Sequence, residues 1–244
     1  MRENAMNQLN RPVVLGHRGA SYGLLDNSRA AFEAVRPAGG DGSEFDVRAT
    51  QDGILAVIHD PLVKGYGAVA EHTFSDLNRA AGGELLRIEE VLEILDGQII
   101  DIEIKSDPKE VGWAPSELTS RLLGRILHSY SGSCDIFVTS FSEAALEAFA
   151  KVAPGYPLGV LTAIGADLPE RCKVANALGA AYILPHHSSL DAEAVQSAHE
   201  GGLKLYTWTV DVGPRIAELA SFGVDGVITN RIDLALAALG AKID

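Results

Sequence analysis

Eight short apolar runs rich in β-forming residues alternate with eight helical patterns along the whole chain. The runs fall at residues 13–16, 44–47, 99–105, 135–140, 158–161, 182–184, 204–210 and 226–229. The helical patterns fall at 27–35, 88–95, 115–129, 143–152, 168–178, 191–200, 214–222 and 232–239. Strands that are continuously apolar, without alternation, are covered on both faces, which is the mark of a parallel sheet with helices outside it. Eight such units close naturally on themselves. The expected fold is therefore α/β, a TIM-type (β/α)8 barrel. An open doubly wound sheet is the rival, but no GxGxxG follows the first run, which removes the usual reason to prefer it. No linker or low-complexity tract interrupts the 244 residues, so a single domain is expected over 1–244, with 1–12 as an N-terminal extension.

One stretch breaks the rhythm. Asp52-Gly53 is a turn signal, and 54–58 reads as a short extra strand pairing back on 44–50. Residues 60–87, with Gly65, Gly67, Gly82 and Gly83, read as a long excursion, a small insertion after the second strand. Long irregular segments in a compact fold tend to carry function.

Charge narrows the function classes. With 33 acidic against 20 basic residues the formal net charge is −13, and no basic cluster is visible. Such a surface repels nucleic acid and anionic membranes. An anionic substrate would have to be met by a local cation, which favours a metal. No apolar run approaches the length of a membrane span, so no integral membrane association is expected. The opening ten residues lack the apolar core of a signal peptide, so a cytoplasmic location is expected. Cys134 and Cys172 show no CxxC spacing and read as two isolated thiols. Oligomeric state leaves no trace in the sequence.

In a barrel the chemistry gathers at the carboxyl ends of the strands. Those positions read His17, Arg18, Glu44, Asp46, His59, Asp60, Glu103, Lys105, Ser140 and Trp208. Alternation puts Glu44 and Asp46 on one face of their strand with Phe45 on the other, and likewise groups Asp101, Glu103 and Lys105. If Glu44, Asp46 and Glu103 share one barrel mouth, they must take up protons or be neutralised by a cation. An all-oxygen set suits a hard ion, Mg2+ or Ca2+. A salt-bridge network with Arg48 and Lys105 is the plain alternative. His17 and His59 titrate near operating pH and can serve as acid and base. Arg18 offers a fork that matches a phosphate, with Gly19 allowing close backbone approach. Trp208 is placed to wall a pocket or to pack in the core. The other five histidines, His186 and His187 included, have no comparable context.

These residues resemble the glycerophosphodiester phosphodiesterase family. The resemblance runs from Gly16-His17-Arg18-Gly19 to Thr229-Asn230. Its strongest stretch is Glu44-Phe45-Asp46-Val47-Arg48 through Val57-Ile58-His59-Asp60, followed in order by Ile102-Glu103-Ile104-Lys105, Ser140-Phe141, Trp208-Thr209-Val210 and Gly223-Val224-Asp225-Gly226. It implies a divalent metal held by Glu44, Asp46 and Glu103, His17 and His59 as the acid/base pair, and Arg18, Lys105 and Trp208 around the substrate. It also implies hydrolysis of a small glycerophosphodiester to sn-glycerol 3-phosphate and an alcohol. The neighbouring glycerol hydroxyl would attack first, forming a cyclic phosphate that water then opens. Two departures concern the substrate pocket. Leu25-Asp26-Asn27-Ser28 stands where the family carries Pro-Glu-Asn-(Thr/Ser), leaving Asn27 as a candidate site residue, and no Arg-Thr pair follows Asp60. The alternatives are a silent barrel that binds a phosphorylated ligand and a Schiff-base lyase using Lys105.

Overall fold

A computed structural model of the protein describes residues 10–113 and 117–241. Eight parallel strands form a closed ring: β1 (Val13–His17), β2 (Gly42–Ala49), β7 (Ile99–Ile104), β8 (Asp135–Ser140), β9 (Leu158–Thr162), β10 (Tyr182–Pro185), β11 (Lys204–Thr207) and β12 (Gly226–Thr229). The ring closes where β1 pairs with both β2 and β12, with His17 beside Glu44 and Gly16 beside Thr229. The expected barrel is the fold.

Each barrel strand leads to an outer helix. These are α1 (Arg29–Glu33), α3 (Ile88–Ile94), α4 (Leu118–His128), α5 (Glu143–Ala150), α6 (Leu168–Ala177), α7 (Ala192–Glu200), α8 (Gly213–Phe222) and α9 (Ile232–Ala238). Capping explains their starts: the side chains of Ser28, Ser142, Asp167 and Asp191 each accept from a backbone N–H three residues on. Helix α1 begins later than the expected residue 27. Asn27 has φ +56°, a left-handed conformation that a helix cannot include, so Ser28 becomes the cap. The expected start of α4 at Pro115 and most of the expected N-terminal extension lie outside the described residues. Strand β11 ends at Thr207, not 210; beyond it only an isolated bridge of Trp208 to His186 and the Val210 N–H to the Ile228 carbonyl continue the pairing.

The insertion is more ordered than a structureless excursion. It contains β3 (Leu55–Val57), antiparallel to β2, a small hairpin of β4 (Leu62–Val63) and β5 (Gly67–Ala68), a helix α2 (Phe74–Ala80), and β6 (Leu86–Arg87) returning against β3. Its own core of Val63, Val69, Phe74, Leu77 and Leu85 is what the glycine-rich sequence concealed.

Alternation along the barrel strands sorts the side chains. Val14, Phe45, Ile102 and Val138 face outward into the layer shared with the helices. Val13, Ile99, Phe137, Tyr182 and Tyr206 fill the lower barrel, with the Phe137 and Tyr182 rings stacked 4.5 Å apart. Gly226 is required there, since a Cβ at that position would lie 2.4 Å from the Tyr206 ring. The floor is thus apolar, and the same inward faces become polar at the carboxyl ends, where His17, Glu44, Asp46 and Glu103 stand. No helix among the described residues is long and apolar enough to cross a membrane.

Candidate active site

Glu44 and Asp46 come from the first half and middle of β2 and Glu103 from near the end of the adjacent β7, with Asp46 and Glu103 in register. One oxygen of each lies within 4.8 Å of the others, and the three residues are only 4%, 1% and 8% exposed. Asp101, one step below Glu103 and level with Glu44, is buried as well and accepts from Thr139 Oγ1 at 2.7 Å. Two fixed cations meet this group. Lys105 Nζ lies 2.6 Å from Glu103 Oε1 and 3.0 Å from Asp46 Oδ1. Arg18 places Nε 3.2 Å from Asp46 Oδ2 and donates its backbone N–H to Glu44 Oε2 at 3.1 Å. Arg48 takes no part in that network, contrary to the salt-bridge alternative, because it is tied to Glu110 by a two-point ion pair above the rim.

Four buried carboxyl groups therefore face two fixed cations, and a doubly charged ion would bring the cluster to neutrality. Burial pushes Glu44 well above the ordinary carboxylate range, and neighbouring Asp46, Glu103 and Asp101 push it the same way. Burial, only partly opposed by Lys105, brings Glu103 up to about 7. Burial would raise Asp46 too, but Lys105, Arg18 and His59 outweigh it and hold that carboxyl below its usual value. Asp46 Oδ1 and Arg18 Nε are also buried without an aligned hydrogen-bond partner. Each is nonetheless at ion-pair distance, Asp46 Oδ1 from Lys105 and Arg18 Nε from Asp46 Oδ2. The donor set fits a hard divalent cation.

Both histidines line one cavity beside the carboxylates, and His17 Nε2 lies 4.0 Å from Glu44 Oε2. His17 Nδ1 lies 2.8 Å from Asn230 Oδ1, and the Asn230 amide nitrogen donates to Asp211 Oδ2 at 2.6 Å. A carboxylate only accepts, so Asn230 presents its oxygen to His17, and His17 must carry its proton on Nδ1. Burial and the Arg18 charge lower the His17 pKa. His59 Nδ1 lies 2.7 Å from Asp60 Oδ1, which likewise leaves Nε2 free. Burial and Lys105 lower His59, while Asp46 and Asp60 oppose them.

A cavity of about 300 Å³ opens over the cluster, polar on the side of His17, Arg18, Glu44 and Lys105, apolar on the side of Phe141, Leu161, Trp208 and Ile228. Trp208 is pinned by its indole N–H to the Leu184 carbonyl and meets Phe141 and His186 edge-on. A second groove of about 370 Å³ shares Arg18 and His59 and is bordered by Asp26, Asn27 and Asp60. Asn27 is buried and donates to Asp46 Oδ2 at 3.0 Å. Asp26 is half exposed, paired with Arg18 at 3.3 Å, and outside the carboxylate trio.

Three sequence readings change. Ser140 is a structural hydroxyl bonded to the Ile104 carbonyl. Gly19 is needed because its φ is +90° and a Cβ would press on the Ala31 backbone at 2.6 Å, which assigns its smallness to packing on α1. Asn230, noted in the sequence only as the end of the family resemblance, and Asp211, not singled out at all, stand beside His17. Asn230 sits 213 positions from His17 and meets it only through barrel closure, so its one signal was its place at the end of the last strand.

The family model for the glycerophosphoryl diester phosphodiesterase family matches residues 17–234. The chain belongs to that family. It is an enzyme, a hydrolase of phosphoric diesters. It is 30% identical over 236 residues to a glycerophosphodiester phosphodiesterase of Caldanaerobacter subterraneus subsp. tengcongensis, covering 90% of this chain and 94% of the relative. Among solved structures it resembles the Thermotoga maritima glycerophosphodiester phosphodiesterase, with TM-score 0.78, 24% identity, and 94% and 99% of the two chains covered. It also resembles an Oleispira antarctica phosphodiesterase solved with the product sn-glycerol-3-phosphate, with TM-score 0.82, 21% identity, and 95% and 98% covered. Identities this low carry the fold alone.

Proposed function

We propose that this enzyme hydrolyses glycerophosphodiesters to sn-glycerol 3-phosphate and an alcohol, with Mg2+ or Ca2+ held by Glu44, Asp46 and Glu103 and with His17 and His59 exchanging the protons. The observation that carries the reading is the buried carboxylate trio beside two histidines that line one cavity. When bound, the cation supplies charge stabilisation to the phosphoryl oxygens in the transition state.

The chain's own residues account for the rest. Arg18 and Lys105 reach the cavity as the fixed positive charges that orient an anionic phosphate. His17 is the base: its environment lowers its pKa, and Asn230 holds it in the tautomer that leaves Nε2 free to accept. It takes the proton of the glycerol 2-hydroxyl as that oxygen attacks phosphorus. His59 is the acid: burial and Lys105 lower its pKa as well, but the Asp60 carboxylate at Nδ1 opposes that shift and supports the imidazolium that gives up its Nε2 proton. It gives a proton to the departing alcohol as the P–O bond breaks, leaving a cyclic phosphate. In the second half the roles reverse: His59 takes a proton from water, the water oxygen joins phosphorus, and His17 returns its proton to the 2-oxygen. His59 also lines the second groove, which suits the side on which the alcohol leaves.

A Schiff-base lyase is disfavoured by Lys105 itself. Burial would lower its pKa, but Glu103 and Asp46 outweigh burial and raise it, so the amine stays charged. The test is a panel of glycerophosphodiesters assayed for released glycerol phosphate with the chelated protein and after addition of Mg2+, Ca2+ or Mn2+. Metal-dependent release that is lost in His17→Ala supports the reading. Binding of glycerol phosphate without turnover of any diester sinks it.

A further inference from the structure

One buried carboxyl group takes no part in the reaction described above. Asp101 lines the same cavity as the two histidines, is 1% exposed, and stands outside the trio whose oxygens converge for an ion. Its Oδ1 accepts from the Thr139 hydroxyl at 2.7 Å, but its Oδ2 is buried with no hydrogen-bond partner. Removing a carboxyl oxygen from water without a replacement costs free energy, so such an orphan calls for a ligand. The barrel floor supplies none. Level with Asp101 on β8 is Phe137, and the inward residue below it is Ile99, both apolar.

The surroundings narrow what Oδ2 can receive. An anion is repelled by a carboxyl group set beside three others. The fixed cations are engaged elsewhere, Lys105 on Glu103 and Asp46, Arg18 on Asp46 and Glu44. A neutral donor remains, and the glycerol half of the diester carries two hydroxyl groups. His17 takes the proton of the one at C2. The one at C1 has no partner in that reading. His17 is level with Glu44 on the adjoining strand, and Glu44 with Asp101 on the next, so base and orphan share one row across β1, β2 and β7. Adjacent strands lie about 4.8 Å apart, so side chains reaching inward from strands two apart can bracket neighbouring hydroxyl groups of one small ligand. Of the other polar side chains lining the cavity, Thr209 alone has no stated role, and it is half-buried, where water can satisfy it.

We propose that Asp101 is a specificity-determining residue whose Oδ2 accepts a hydrogen bond from the terminal hydroxyl of the substrate's glycerol. Arg18 and Lys105 hold the phosphate and His17 meets the 2-hydroxyl, so the glycerol is fixed at three points with its 2-oxygen toward phosphorus. This rests on the diesterase reading given above. A carboxyl oxygen accepts in either protonation state, so the contact does not depend on how the cluster titrates. A substrate without the terminal hydroxyl leaves Oδ2 buried and unpaired, and a site built to bind a hydroxyl strongly rejects the analogue that lacks it.

The experiment uses the full chain loaded with Mg2+ or Ca2+ and follows choline release from sn-glycero-3-phosphocholine and from its 1-deoxy counterpart. In the latter propane-1,2-diol replaces glycerol and the attacking hydroxyl is kept. The parent is expected to favour the glycerol substrate by about 10–100-fold in kcat/KM, the range of a hydrogen bond to a charged group. Asp101→Leu, close in shape, narrows that preference to less than about threefold. Asp101→Asn removes the same charge but keeps a hydrogen-bonding group in place, so it retains a preference of about fivefold or more. Equal turnover of the two substrates by the parent overturns the proposal, and so does an undiminished preference in Asp101→Leu. Equal preferences in the Leu and Asn variants would assign the effect to the charge of the cluster and overturn it too. Should Asp101→Leu fail to fold, calorimetry on the parent decides: glycerol 3-phosphate is expected to bind about tenfold or more tightly than propane-1,2-diol 1-phosphate, and equal Kd values overturn the contact. Turnover of neither diester by the parent removes the diesterase reading, whereas equal turnover of both removes this inference and leaves that reading standing.

Discussion

Arg48 Nε donates to the carbonyl oxygen of His59 at 2.7 Å, while its two terminal nitrogens are held by Glu110 at 2.6 and 2.9 Å. The guanidinium thus links the end of β2 and the loop after β7 to the backbone of the proposed acid. Arg48 touches no reacting atom; it is a positioning residue. Lysine keeps the charge but loses the fork and cannot satisfy both partners at once. Arg48→Lys is expected to lower kcat by about 10–100-fold, the scale of an ångström misplacement, with a smaller change in KM. Steady-state kinetics beside far-UV circular dichroism checks this, and an unchanged kcat would show that His59 is held by other means.

A second outcome concerns pH and metal together. A carboxyl whose folded pKa lies above its unfolded value binds its proton more tightly when folded, so stability falls as pH rises between the two values. For Glu103 that window runs from 4.5 to about 7, and Glu44 is shifted in the same direction. The chelated protein is therefore expected to lose stability from pH 5 to pH 8. A divalent ion competes with those protons, so the thermal shift it produces grows over the same range, reaching about 5–10 °C at 100-fold excess over Kd. Melting curves with chelator and with Mg2+ or Ca2+ at the two pH values measure it. A shift that is larger at pH 5 would contradict ion binding at these carboxylates.

Glu44→Gln separates stability from activity. The amide keeps the shape and can still accept from the Arg18 backbone N–H, but it removes one charge from a buried like-charged cluster. The metal-free variant is expected to be more stable than the parent by about 1–2 kcal/mol at pH 8, while hydrolysis and the metal-induced shift are both lost. Urea titration at fixed pH gives the first quantity and the diester assay the second. A less stable, fully active variant would mean that the crowding of the trio is not what the site is built around.

The barrel and the carboxylate trio were legible because each rests on a short-range rule. Continuous apolar strands imply covered faces, and Glu44 and Asp46 share a face through period two alone. His17, Arg18, His59 and Lys105 followed from strand-end position. What escaped depends on closure or on loop packing. Asn230 meets His17 because the last strand pairs with the first, and no local pattern records that register. Asp211 reaches His17 through Asn230, and it also accepts from the Thr229 hydroxyl. Arg48 reads from sequence as an ion-pair partner of the trio, yet β2 runs on past Asp46 with β3 and the Arg48 side chain pairs with Glu110 instead. His186 lacks motif context, and its bridge to Trp208 sets it edge-on against that ring, which itself lines the pocket.

Asn230 offers the sharpest test of the base assignment. Its oxygen accepts from His17 Nδ1, and that bond raises the His17 pKa against the lowering by burial and Arg18. Removing it in Asn230→Ala frees the imidazole to take the other tautomer, with the proton on Nε2, where it cannot accept from the substrate. It also takes away the contribution that raised the pKa, so the His17 pKa drops further. Two effects should then appear together: kcat falls by about 10–100-fold, within the range of losing general base catalysis, and the acidic limb of the kcat/KM profile moves to lower pH. A purely structural role would lower stability without moving that limb. If the limb moves upward, or stays in place while kcat is retained, His17 is not the group that accepts the proton.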